Sequence, residues 1–110
     1  MNERERAVAR LMELPAAIND AEDWIIRTAR VLADVQEALA DTEAAARISG
    51  KCDGPNADTR AALVRAKTVV ERQAVRAAEQ DHAEARSRHS VLQAELVALH
   101  AVAELLRGTL

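Results

Sequence analysis

The chain has 110 residues, nearly a quarter of them Ala, with one aromatic residue (Trp24), three Gly and two Pro. Such a composition excludes a β-rich fold, because strong helix formers dominate and the β-favouring aromatics are missing, and the length excludes two ordinary domains. The formal net charge of −3 supplies no global field for nucleic acid or membrane. No apolar stretch approaches the roughly 18 residues of a transmembrane helix, and a lone Cys rules out an intrachain disulfide and fits a reducing cytoplasm.

The first predicted element is a helix over residues 3–48. Leu11, Leu14, Ile18, Ala21, Ile25, Thr28, Leu32, Val35, Leu39, Thr42 and Ala46 follow a 4-3 spacing, nine of them apolar. A repeat of that kind puts one seam on one side of a long helix, and the seam needs a second helix to cover it. Pro15 lacks an amide N–H and its ring crowds the preceding turn, which predicts a kink there in an otherwise continuous helix. The opening Met-Asn-Glu-Arg-Glu-Arg is charged where a signal peptide is apolar, so the expected location is cytoplasmic.

Residues 49–56, Ser-Gly-Lys-Cys-Asp-Gly-Pro-Asn, hold two of the three glycines and read as a loop. Gly50 suits a helix C-terminus and Asn56 an N-cap. Cys52 sits at this tip and reads as an exposed, incidental thiol. The segment lacks the Lys-Ser/Thr ending of a phosphate-binding loop.

A second helix is predicted over residues 57–107. A short loop between long helices forces antiparallel packing, so the whole chain, 1–110, reads as one all-α domain: a long, coiled-coil-like two-helix hairpin. Paired positions sum to about 106. Charge supports the pairing. Asp34, Glu37, Asp41 and Glu43 on the first helix face a basic stretch, Arg60, Arg65, Lys67, Arg72 and Arg76, on the second.

The seam of the second helix is read as Leu63, Ala66, Val70, Gln73, Ala77, Gln80, Glu84, Ser87, Val91, Ala94, Ala98, Ala101 and Leu105. A second stripe, Leu92, Leu96, Leu99, Ala103 and Leu106, runs beside it near the C-terminus. One partner helix cannot cover both stripes, so Leu92, Leu96, Leu99 and Leu106 are expected to hold an oligomer or a protein partner in a helical bundle.

Chemistry-bearing motifs are sparse. Glu79-Gln80-Asp81-His82 contains a Glu-x-x-His step of the type used in di-iron bundles, where Glu22 or Asp23 of another hairpin could add carboxylates. In the seam frame just given, Glu79 and His82 point outward as solvated groups. His82 and His89 share a face, and His100 lies elsewhere; all three read as surface histidines, with no zinc-binding cluster. The basic stretch on the second helix lacks the aromatics that stack on bases.

The segment Gly54-Pro55-Asn56-Ala57-Asp58-Thr59-Arg60-Ala61-Ala62 resembles one in small helical proteins of bacteriophages and prophages, which carry Gly-x-Asn-Ala-x-x-Arg-x-Ala after a long first helix. Here Pro55 fills the variable position and Lys51-Cys52-Asp53 lengthens the loop. The resemblance implies a phage-type accessory protein and no particular activity.

The expected function is non-enzymatic: a self-associating helical interaction or scaffold module without cofactor or membrane contact. A nucleic-acid accessory factor using Arg60, Arg65, Lys67, Arg72 and Arg76 is the alternative. A ferritin-like metal-binding bundle built across subunits is a second.

Overall fold

The computed structural model describes residues 2–108, and the regular secondary structure over them is all helical. Helix α1 spans Glu3–Ile48, α2 Ala57–Lys67 and α3 Val69–Gly108. No described helix is long and apolar enough to cross a membrane.

Each helix end has a local cause. Asn2 caps α1 by accepting from the Glu5 amide at 2.8 Å, while the Glu5 carboxylate reaches back to the Asn2 side chain. The first bond satisfies the Glu5 amide, one of those that the first turn leaves unbonded, and the second holds the capping side chain in place. α1 runs unbroken through Pro15. It ends before Gly50, whose φ of 75° lies in the left-handed region that glycine enters without cost. Asn56 starts α2 by accepting from the Thr59 amide at 2.8 Å. Gly54 is held by space: a Cβ there would lie 2.7 Å from the Thr59 methyl.

The expected single second helix is broken at Thr68. This residue leaves helical geometry (φ −118°, ψ 25°) and is fully buried. Its hydroxyl donates to the Val64 carbonyl at 2.9 Å, and the Arg72 Nε donates to that hydroxyl at 3.0 Å. Threonine bonding back to the preceding turn competes with the helical ladder. The β-branched run Thr68-Val69-Val70 adds side-chain crowding. Arg72 also donates to Glu43 of α1 at 2.9 Å, so the joint is tied to the first helix.

The packing separates into two units. One joins α1 up to Arg27 with α3 from Ala83 onward. Its core cluster is Leu14, Ala21 and Leu92, with Ala17, Ile18, Leu96 and Leu99 packed against it. Arg10 bonds Glu95 and Glu22 approaches His89, so the two segments run antiparallel. The other unit, Thr28–His82, folds the rest of α1 back on α2 and the start of α3. There the Thr28 hydroxyl and His82 Nδ1 share a 3.0 Å hydrogen bond, and Cys52, Val64, Thr68 and Ala78 are buried.

All eleven seam positions read on α1 are buried or half-buried. The frame read on the second helix is out by one and two residues in alternation. The positions that α2 and α3 bury are Val64, Thr68, Glu71, Val75, Ala78, His82, Ala85, His89, Leu92, Leu96, Leu99 and Ala103. Of the thirteen positions in that predicted seam, Leu63 is half-buried and the other twelve are exposed.

Candidate interaction surface

The shifted frame reassigns the predicted contact leucines. Leu92 is 4% exposed within the cluster it shares with Leu14 and Ala21, and Leu96 and Leu99 pack on that cluster. These three side chains pack on α1 of their own chain, Leu92 fully and Leu96 and Leu99 in part. Leu106 keeps 38% exposure and lines a shallow recess with Arg4, Leu11 and Ala103.

The frame first assigned to the hairpin seam is the one that faces solvent. From Val70 to Leu105, eleven positions at 4-3 spacing along α3 are all exposed. Val70 is 73% exposed, Val91 63% and Leu105 71%. Glu84 is the single charged residue among them. A 3.5-residue repeat places this stripe nearly opposite the buried frame of the same helix.

The acidic and basic stretches meet at one ion pair. Glu43 pairs with Arg72 at 2.9 Å and also with Arg47 at 3.5 Å. Arg60 donates to the Gly54 carbonyl at 3.1 Å, closing the loop ahead of α2. Arg65, Lys67 and Arg76 are exposed and make no ion pair among the described residues. The five cations therefore do not form one phosphate-facing row: two are occupied in shaping the tip.

The histidines correct a second expectation. His82 and His89 are half-buried in the seam, each facing a polar partner on α1: Thr28 for His82 and Glu22, at 3.4 Å, for His89. They act as polar layers in the seam, beside the buried Thr28 and Thr68. His100 is exposed, as is Glu79, so the Glu-x-x-His step does not converge. No group of three or more His, Cys, Asp or Glu side chains is placed to hold a metal ion among the described residues.

Cys52 is 4% exposed, not at an open tip. It borders a recess of about 360 Å³ with Arg47, Asp53, Arg60 and Val64. Cys52 and Val64 are both buried beside this recess, as suits a free cysteine, which behaves as a small hydrophobe.

The strongest electrostatic feature is Arg10 with Glu95. The guanidinium grips the carboxylate side-on, through Nε to one oxygen and Nη2 to the other at 2.9 Å. The hydrogen bonds from Arg10 hold the Glu95 carboxyl below its ordinary range, and those to Glu95 and Glu13 hold Arg10 more firmly protonated. This pair fixes register in the first unit and presents no reactive group.

No family model, curated protein or solved structure matches this chain.

Proposed function

We propose that the protein is a non-enzymatic helical interaction module that works by self-association. One observation carries this reading. Seven apolar residues are buried among those described, and three of them are Ala, while twelve large apolar side chains remain exposed. Alanine contributes little area, and burial stabilises by only about 25 cal/mol per Å². A chain with so thin a core and so much apolar surface gains stability by covering that surface with another molecule. A second copy is always present at the concentration of the chain itself.

The accessory role implied by the phage-type segment at the tip accords with such a module, because accessory proteins act through contacts and not through chemistry. The half-buried histidines and the inward-turned thiol have structural partners, which leaves them no separate task in this reading.

Light scattering coupled to size exclusion tests the proposal on the unmodified chain. A mass of 23.8 kDa or more, twice the 11.9 kDa of one chain, is the expected result at high micromolar concentration. A species of single-chain mass at that concentration removes self-association as the function.

A further inference from the structure

We propose that the outward stripe of α3 is the docking face for a second copy of this chain, which lies along it as an antiparallel α3–α3 pair. The inference rests on the self-association reading and adds the face, the orientation and the register.

The stripe is distinguished first by its charge content. The eleven positions from Val70 to Leu105 carry one charge. The corresponding outward frame of α1, from Arg6 to Ala44, is charged at nine of twelve positions. Both faces point away from the buried seam, so solvation alone would treat them alike. A 4-3 frame kept free of charge along an exposed helix is the pattern that a partner helix covers. Val70 to Ala101 spans about 47 Å of helix, ample for a two-stranded seam.

The stripe is also complementary to itself when reversed. A two-fold axis passing between Ala85 and Arg86 sets Val70 against Ala101, Ala77 against Ala94 and Gln80 against Val91 of the second copy. Val70 and Gln73 meet Ala101 and Ala98, and Ala77 meets Ala94, so the helices can approach closely at these layers, while Gln80 and Val91 fill the layers nearer the axis. Glu84, the one charge, meets the Ser87 hydroxyl. Parallel packing would instead set Val70 on Val70, Val91 on Val91 and Glu84 against Glu84.

Charge beside the stripe selects the same orientation. Asp81 and Arg88 lie seven residues apart on one flank, both exposed, and neither has an ion pair among the described residues. Equivalent flanks face each other across an antiparallel pair. The register above then brings Asp81 of each copy to Arg88 of the other, twice about the axis. Opposed charges at flanking positions set orientation and partner choice.

Sedimentation equilibrium on the full chain and three variants tests this. Asp81→Arg and Arg88→Asp each replace two attractions by two repulsions and should weaken the dimer about 30-fold. The double variant Asp81→Arg/Arg88→Asp restores opposed charges and should return to within about 3-fold of the unmodified chain. Ala94→Asp, which buries a charge in the stripe, should weaken the dimer about 100-fold. All of these positions are exposed, so helicity by circular dichroism stays unchanged in each variant.

Single variants that associate like the parent overturn the face while leaving self-association standing. A double variant no better than the singles overturns the register. Loss from Asp81→Arg alone, with Arg88→Asp silent, indicates parallel pairing, in which Arg76 meets Asp81, and overturns the antiparallel arrangement. A monomeric parent overturns this inference together with the reading it rests on, and leaves the face to a helix of a different protein.

Discussion

Arg10 reaches from α1 to hold both oxygens of Glu95, and that grip makes the first unit sensitive to acid. The Glu95 carboxyl titrates below its ordinary range because Arg10 donates to its charged form. A group whose folded-state pKa lies below its unfolded value binds fewer protons when folded. Its contribution is therefore present above the usual carboxylate range and lost as pH falls through the folded value. Arg10 stays protonated throughout, so Glu95 alone sets the window. Glu95→Gln should lower the urea midpoint at pH 7, with the gap to the parent closing as the solution becomes acidic. A gap of constant size from pH 7 to pH 2.5 would show that packing, not the ion pair, accounts for the loss. The half-exposed pair (side-chain exposures of 37% and 34%) places the effect among modest ones.

At the scale of elements, α1 was legible in the sequence and α3 was legible only in part. The α1 seam is fixed by Leu or Ile at six of its eleven positions, and all eleven are buried or half-buried. On the second helix, two 4-3 frames run alternately one and two residues apart, and Ala fits either. The frame with His82, His89, Thr68 and Glu71 is the buried one, and three of these polar residues are satisfied there: the two histidines meet polar partners on α1 and Thr68 bonds its own backbone. Thr28 with His82 and Glu22 with His89 are the clearest cases. The missing signal was bulk: the buried frame holds Leu92, Leu96 and Leu99, against Leu63 and Leu105 in the exposed one. The break at Thr68 was hidden for a related reason, since a threonine inside a helical pattern is ordinary until its hydroxyl is seen to bond Val64 and Arg72. The frame can be tested with two neighbouring substitutions. Leu96→Glu should cost about 3 kcal/mol by driving a carboxylate into the Leu14 cluster. Val97→Glu, one residue on at a position 68% exposed, should leave the stability of the folded chain within about 0.5 kcal/mol. Urea unfolding followed by circular dichroism at low micromolar concentration separates them, and equal losses would put the seam elsewhere.

For the molecule as a whole, stability and assembly are expected to be one equilibrium. Leu14 and Thr68 are the largest side chains buried almost completely, and three of the other seven buried positions are Ala. Neither unit has the bulk of a stand-alone core, and long helices gain most of their stability from packing one face. If a second copy covers the outward stripe of α3, folding is linked to association by mass action. Each hundredfold rise in protein concentration then adds up to about 2.7 kcal/mol to the folded state. For a chain of this size a change of 1 kcal/mol moves the melting temperature by about 4–8 °C. Melts followed by circular dichroism at 2 and 200 μM should therefore differ by about 10 °C or more, with the dilute sample melting first. Ala94→Asp should flatten that dependence by uncoupling the copies, leaving the low-concentration melt close to that of the parent. Coincident melts for the unmodified chain would show that each copy folds without help. The exposed valines of α3 would then need a different explanation.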